Sequence, residues 1–411
     1  MISKKALVFV SIVFAMLYHF ILYLDSYGPS LGNTIANGNS FMALGSSLIL
    51  LFVYITTKWR VDLKGSNALL LFDLMILWVL ICYFRSFLNT YRTFTMKEML
   101  FSPYVGLSLF PLLFFVVGVN KKYFFMINRL LFIYCLVIFA FSIPFISYFE
   151  LQFFLMIPLF YIIITFPLQT PRDRILTLIM TVTIMITSMT NRAGILRISI
   201  SYMIVILFYL VLEMKVNRKL INAFVFIALI TPFYLLYLGL SGKDVFKIVL
   251  GEDKEQGYRQ ENLRSDTRTF LYVDVFRDLT INKAFVFGKG INGGYASEDF
   301  ETFSRLAVEV GFLQILLKSG IIGFLLYISL FISAIFKALN HSENHFMKYL
   351  GLLLCGYVLM FFIEDIIGFT LFNVVIWSIV GMCHSKELRA LNDKEIKDLF
   401  LNIQPEINSK T

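Results

Sequence analysis

Long apolar runs recur along almost the whole chain, each about 20 residues long and separated from the next by a short polar segment. As an α-helix, a run of this length covers the hydrocarbon core of a bilayer, which is about 30 Å thick. A β-barrel would instead show shorter segments in which apolar and polar residues alternate. The composition, 58% hydrophobic and 17% aromatic, also lies outside the range of soluble domains. The runs therefore predict an all-α, polytopic integral membrane protein.

About twelve of the runs are long enough to be transmembrane helices. They lie near residues 5–24, 41–57, 67–84, 104–119, 123–143, 148–168, 174–190, 194–213, 219–240, 312–336, 347–364 and 366–384. This predicts an N-terminal bundle of about nine helices (1–240), a long loop (241–311), about three C-terminal helices (312–384) and a charged tail (385–411). No cleavage site follows the first run, so we interpret it as a span and not as a signal peptide.

The positions of lysine and arginine predict how the chain is oriented in the membrane. If both termini are cytoplasmic, the basic loops fall inside, as the positive-inside rule requires. These are the loops at 58–64, 120–122, 169–174, 213–219 and 336–348. The long loop at 241–311 is then extracytoplasmic. Because this topology explains the net charge of +9, nucleic acid is not an expected partner.

The long loop contains a segment with helical periodicity. Ser265 or Asp266 could cap a helix that begins near Thr267. Its apolar residues would form one broad face against the membrane or the bundle: Phe270, Leu271, Val273, Phe276 and Leu279. If the helix extends back by one turn, Arg264 and Arg268 lie on one side of it and could bind a diphosphate. The alternative is that these arginines pair with acidic neighbours or with lipid phosphates.

The sequence GKGING at 288–293 fits the G-x-G-x-x-G pattern of dinucleotide-binding domains. The context does not fit, because no βαβ unit surrounds the match and the loop is predicted to lie outside the cytoplasm. We therefore expect Gly288 and Gly290 to allow a tight turn and to bring backbone amides near a substrate phosphate.

Other charged residues are candidates for binding or catalysis. Arg192 lies in a very short turn between two spans, and Arg197 follows it at membrane depth, where charge is expensive and commonly functional. The alternatives are snorkelling of Arg192 to lipid headgroups and pairing of Arg197 with a carboxylate. Glu298 and Asp299 could remove a proton from a sugar hydroxyl, or simply form a solvated acidic turn. Arg305 is a further anion-binding candidate in the long loop, as are Arg85 and Arg92 after the third span.

Motifs for metal chemistry are missing from the sequence. There is no D-x-D pair and no H-E-x-x-H, and no histidine falls in a predicted outer loop. We therefore expect no metal and no cofactor, so arginines would have to neutralise any phosphate charge. The four cysteines, all in or at the end of apolar runs, are interpreted as packing residues: Cys82, Cys135, Cys355 and Cys383.

Four motifs occur in an order that resembles the O-antigen polymerase and ligase superfamily. They are SMTNRAG at 188–194, RTFLY at 268–272, GKGIN at 288–292 and LQILLKSGIIG at 313–323. The resemblance covers roughly residues 170–335 by motif and the rest by hydropathy alone. It identifies Arg192 with the family's turn arginine and Arg268 with its loop arginine, and Arg264 is a weaker match.

The ligases of this superfamily resemble one another in a histidine placed just before the span that follows the long loop. The present chain reads SEDFETFSRLAVEVGFLQ at 297–314, without a histidine, which favours the polymerase branch. The resemblance implies a bacterial inner-membrane enzyme that joins oligosaccharide repeat units carried on undecaprenyl diphosphate. It also implies a flippase and a chain-length regulator as partners. The alternatives are a ligase, or a flippase or transporter without bond chemistry, which would predict inverted repeats and short loops on both sides.

Overall fold

The computed structural model describes most of the chain, and every regular element of the described residues is helical. The described residues are 3–27, 29–58, 67–88, 110–142, 158–187, scattered positions between 222 and 237, 269–296, 308, 310–361 and 368–402. The fold of these residues agrees with the predicted all-α class.

Twelve helices can be delimited in the described part of the chain, together with helical residues at 158–164 and short 3-10 turns. They are α1 (Lys4–Tyr27), α2 (Pro29–Lys58), α3 (Asn67–Leu88), α4 (Phe115–Val119), α5 (Phe124–Ser142), α6 (Pro171–Thr187), α7 (Thr269–Ile281), α8 (Gly311–Asn340), α9 (His345–Phe361), α10 (Leu371–His384), α11 (Lys386–Arg389) and α12 (Asp393–Leu401).

Four helical segments of the described residues are long and apolar enough to cross a membrane. They are Lys4–Ile21, Leu69–Phe87, Lys121–Phe141 and Gly311–Asn340. Shorter apolar helices cover Phe41–Thr56, Phe110–Val119, His345–Leu359 and Leu371–His384. All eight coincide with runs that the sequence predicts as spans, which is consistent with a helical membrane protein.

Helices α1 and α2 pack closely through small residues. Ser11 Oγ and Ser46 Oγ each donate to the other residue's carbonyl oxygen at 2.9 Å. Small hydroxyl residues of this kind allow two apolar helices to approach and bond in a low-dielectric environment. α2 begins at Pro29, earlier than the predicted residue 41. Proline is favoured in the first turn of a helix. Hydropathy does not predict this start, because the residues that follow Pro29 are polar.

Helix α8 lies at the centre of the described bundle and contacts α3, α7, α9 and α10. Its later part is packed through aromatic rings. Tyr327 stacks on Phe331 at 4.9 Å and on Phe361 at 5.1 Å between ring centroids. Phe331 stacks in turn on Tyr357, and Trp377 meets Phe331 edge-on. These rings join α8, α9 and α10 into one apolar core.

The segment after α10, which the sequence predicts only as a charged tail, forms two short helices. Asn392 caps α12 in a reciprocal capping box with Glu395. Ile396 of α12 is fully buried, and the ring of Phe400 meets that of Phe124. The described part of the tail is therefore packed against the bundle.

Candidate functional site

Helix α8 is interrupted at Gly320, where the backbone has φ 67° and ψ −173°. This conformation is essentially restricted to glycine. It divides α8 into residues 311–319 and 321–340. A break of this kind frees backbone groups that must find other partners, because water is scarce inside a membrane bundle.

The glycine-rich loop after α7 supplies those partners. Lys289 N donates to Leu317 O at 2.8 Å, and Gly290 N donates to Lys318 O at 3.0 Å. In the other direction, Ile321 N donates to Phe285 O at 2.9 Å. We call the assembly of residues 285–294 and 317–322 the loop–helix junction. Its bonds account for backbone groups on both sides of the break.

The backbones of Gly288 and Gly320 approach each other closely in the loop–helix junction. Gly288 has φ 69°, and a Cβ on it would lie 2.5 Å from Gly320 N. A Cβ on Gly320 would lie 2.3 Å from Val286 O. Both positions therefore need glycine for conformation and for close approach.

Helix α3 supports the junction from the side. Trp78 Nε1 donates to Ser319 O at 2.9 Å, which satisfies another carbonyl at the break. Ser86 Oγ accepts from Ile291 N at 2.6 Å. The Arg85 guanidinium donates to Phe287 O and, at 3.0 Å, to Gly288 O. α3 thus fixes the loop at three points.

Two lysines hold the end of the loop. Lys318 is only 1% exposed, and its Nζ donates to Gly293 O at 2.6 Å. Lys289 Nζ donates to Gly294 O at 2.9 Å and forms an ion pair with Asp278 of α7. Among the described residues, Lys318 has no carboxylate in ion-pair contact. Burying a polar amine costs free energy unless it is hydrogen-bonded, and the bond to Gly293 O satisfies this amine while it fixes the end of the loop.

The structure places Gly288 and Gly290 in the junction, but with their amides already engaged. Gly288 N donates to Ala284 O at 2.7 Å, and Gly290 N donates to Lys318 O. These two amides are therefore bonded within the protein, and an approach of other backbone amides of this loop to a phosphate stays a prediction. The positive φ of both glycines lets the loop turn tightly and fit against the broken helix.

The remaining candidate residues lie outside the described residues: Arg92, Arg192, Arg197, Arg264, Arg268, Glu298, Asp299 and Arg305. Two described elements adjoin them along the chain. α7 begins one residue after Arg268, and the described loop ends at Ala296, two residues before Glu298. The helix that the sequence predicts from near Thr267 is present as Thr269–Ile281, with Leu271, Val275 and Leu279 fully buried.

Sequence reasoning did not single out Lys318 or Trp78 as structural partners of the glycine loop. The sequence feature that could have identified Lys318 is a single lysine within the apolar run LQILLKSGIIG, since a charged residue at membrane depth commonly has a specific partner or function. Arg85 was predicted as a candidate for an anionic site, and the structure places it on two loop carbonyls. In the described part of the chain, no cluster of His, Cys, Asp and Glu residues could hold a metal ion.

The chain matches no protein-family model, no curated protein and no solved structure. The resemblance to the O-antigen polymerase and ligase superfamily therefore rests on the motifs and their order. Two of these motifs meet in the structure, because GKGIN and LQILLKSGIIG are hydrogen-bonded to each other. Tyr272 of RTFLY meets Phe312, the residue just before LQILLKSGIIG, with ring centroids 5.6 Å apart.

Proposed function

We propose that this protein polymerises lipid-linked oligosaccharide repeat units of a bacterial surface glycan, of O-antigen or capsule type. The growing glycan leaves undecaprenyl diphosphate and is joined to the next lipid-linked unit. In this proposal the chain has about twelve spans in the inner membrane, with both termini in the cytoplasm and residues 241–311 outside. A flippase would deliver the substrate, and a chain-length regulator would act with the enzyme.

One observation carries the proposal: the GKGIN and LQILLKSGIIG motifs, which are separated by residues 293–312, are bonded to each other beside the helix that contains most of RTFLY. The loop motif and the motif of α8 share backbone hydrogen bonds, and α7, which contains most of RTFLY, packs beside them. A fully buried lysine, two glycine-only backbone conformations and a broken helix at one junction are unusual features. Such features commonly cluster at functional sites.

In the proposed reaction, the acceptor hydroxyl oxygen attacks the anomeric carbon of the donor glycan. The bond between that carbon and the diphosphate oxygen breaks, and undecaprenyl diphosphate leaves with the electron pair. Glu298 or Asp299 accepts the hydroxyl proton. Arg192 and Arg268, with Arg264, Arg197 and Arg305 as further candidates, stabilise the charge that develops on the diphosphate, since guanidinium groups bind such oxygens bidentately without a metal.

The loop–helix junction has a positioning role in this proposal. Lys318 and Lys289 fix the carbonyls of Gly293 and Gly294, a few residues before the acidic pair. The junction also packs on α7, where Phe285 meets Phe276 with ring centroids 5.8 Å apart and Lys289 pairs with Asp278. α7 itself begins one residue after Arg268. The junction would therefore connect the segment that carries the proposed base with the segment that carries Arg268, one of the arginines proposed to bind the diphosphate.

The test is a deletion strain whose surface glycan is separated by size on a gel. We expect the ladder of polymer lengths to disappear while a single-repeat band remains. Wild-type protein should restore the ladder, whereas Arg192→Ala and Arg268→Ala should not, at equal protein levels in the membrane. Arg129→Ala is the matched control, because Arg129 is exposed on α5 and is assigned no role.

Other outcomes would identify a different function. Loss of all surface repeats, including the single-repeat band, would indicate a ligase or a flippase. An unchanged ladder would exclude the polymerase function altogether. If deletion abolishes the ladder but both arginine variants restore it, the polymerase function is supported and the proposed role of Arg192 and Arg268 in binding the diphosphate is contradicted.

A further inference from the structure

The turn that follows α7 exposes large apolar side chains. Ile281 is 73% exposed, Val286 46% and Phe287 50%. The predicted topology places this turn in an extracytoplasmic loop, where water would meet these side chains. A cluster of exposed apolar residues commonly marks an interaction surface.

Phe287 lies directly on α3. Its ring stacks on Trp78 with centroids 6.0 Å apart, and the Arg85 guanidinium lies 5.6 Å from the ring centre. Trp78 and Arg85 are two turns apart on one side of α3, with Ile81 between them. Phe287 therefore borders the side of α3 on which Ile81 lies.

That side of α3 is apolar and exposed along the candidate span Leu69–Phe87. The exposed residues form a stripe at helical spacing: Leu70, Leu74, Leu77, Ile81 and Phe84. Val286 reaches the neighbouring span, because Ile322 N of α8 donates to Val286 O at 3.5 Å. One turn further along α8, Leu325 is 53% exposed. Val286 and Phe287 thus lie between the exposed apolar stripe of α3 and the exposed Leu325 of α8.

The hydrogen bonds of this turn also suit a lipid environment. Arg85 donates to both Phe287 O and Gly288 O. In water these carbonyls could bond to solvent, whereas in hydrocarbon each unsatisfied carbonyl costs several kcal/mol. Arg85 supplies the donors that a carbonyl in a lipid environment requires.

We infer that Val286 and Phe287 insert into the bilayer between α3 and α8 and contact the acyl chains of membrane lipids. The glycine loop is then held at membrane depth from two sides, by the loop–helix junction and by lipid. The occupant of this surface is the bilayer itself, since the exposed apolar stripe of α3 beside the turn runs from Leu70 to Phe84 within a candidate membrane span.

The test uses a nitroxide spin label in full-length protein reconstituted into phospholipid vesicles. Val286→Cys is labelled, and its collision rates with oxygen and with a water-soluble nickel chelate are measured. Phe84→Cys, 63% exposed on the candidate span, is the lipid reference, and Lys394→Cys, exposed on α12, is the water reference. The four native cysteines are buried, so labelled wild-type protein gives the background.

We expect the oxygen-to-chelate ratio at position 286 to match the ratio at position 84 and to exceed the ratio at position 394 severalfold. Thr280→Cys, exposed at the end of α7, should fall nearer to the water reference. A label at position 286 that collides freely with the chelate would overturn the inference. So would a label that neither reagent reaches, because another part of the protein would then cover this surface.

Discussion

The two parts of α8, residues 311–319 and 321–340, are held by different forces. The first part ends at a glycine-only conformation, and its last carbonyls accept from the loop amides and from Trp78. The second part is a regular helix whose partners are rings of α9 and α10. One helix therefore combines a junction fixed by backbone bonds with a core fixed by side-chain packing.

This difference predicts where the chain tolerates amino-acid substitutions. Apolar cores accept many substitutions if total volume is kept. A junction of backbone hydrogen bonds has no such freedom, because an added atom meets backbone atoms that cannot rotate away. We therefore expect the smallest substitutions to have the largest effects at the loop–helix junction.

The largest effect is expected from Gly320→Ala, which adds one methyl group at the break. An alanine in this conformation costs about 1–3 kcal/mol, and overpacking adds about 1–3 kcal/mol. Because the new Cβ would lie 2.3 Å from a backbone oxygen, which cannot rotate away, we expect the sum to be at the upper end, about 6 kcal/mol. We expect the melting temperature in detergent to fall sharply. Gly45→Ala is the control, because its new Cβ would meet Phe14 at an ordinary contact distance of 3.5 Å. Equal stability of the two variants would contradict a rigid junction.

A smaller loss is expected from Phe331→Ala in the aromatic core. Removing a buried ring of this size costs about 3–5 kcal/mol when the cavity stays open. The stacked rings of Tyr327 and Tyr357 can close part of the cavity, so we expect a loss at the lower end, about 3 kcal/mol. Thermal unfolding measures the loss. Phe336→Ala, 40% exposed on the same helix, should change the melting temperature little. A greater loss for Phe331→Ala than for Gly320→Ala would reverse the comparison.

Ser86→Ala removes a single acceptor from the junction. The Ile291 amide then loses its partner, which costs about 1–3 kcal/mol for a buried donor. Hydrogen exchange should accelerate at residues 288–293 and remain unchanged in α9. Ser378→Ala is a matched control, because that buried hydroxyl only donates to Val374 O within its own helix. Unchanged exchange at 288–293 would show that α3 does not fix the loop.

The smallest effect is expected from Tyr327→Phe in the aromatic core. The Tyr327 hydroxyl lies 3.1 Å from that of Tyr357, and Asn373 Oδ1 remains within 3.4 Å as an acceptor for Tyr357. Because Tyr357 keeps an acceptor in Asn373, loss of the Tyr327–Tyr357 hydrogen bond should cost about 1 kcal/mol or less. The melting temperature should therefore move by a few degrees at most. A loss as large as that of Phe331→Ala would mean that polar contacts, and not ring packing, hold this core.

The sequence predicts the helices well where hydropathy alone decides them. The predicted run 312–336 lies within α8, and the predicted amphipathic helix is present as α7. The break at Gly320 could not be read from the same signal, because an apolar run looks continuous whether or not its backbone bonds are. Lys318 illustrates the same limit, since its partner Gly293 lies 25 residues earlier and is adjacent only in the folded chain.

The candidate site is predicted less completely than the fold. The motif order indicated which segments would matter, and two of the predicted glycines do lie at the junction. The predicted tight turn agrees with their positive φ, and their own amides bond to the protein. An approach of this loop to a phosphate stays a prediction. Spacing along the chain identifies a glycine turn, but the acceptor that each amide faces depends on tertiary contacts.

The most direct test of the proposed chemistry is an assay with purified protein. Lipid-linked single repeat units, extracted from the deletion strain, are incubated with the protein in vesicles and separated by size. The proposal predicts a series of longer lipid-linked products together with released undecaprenyl diphosphate, in the presence of a metal chelator as in its absence. Recovery of only single repeat units, with or without their movement across the membrane, would contradict it.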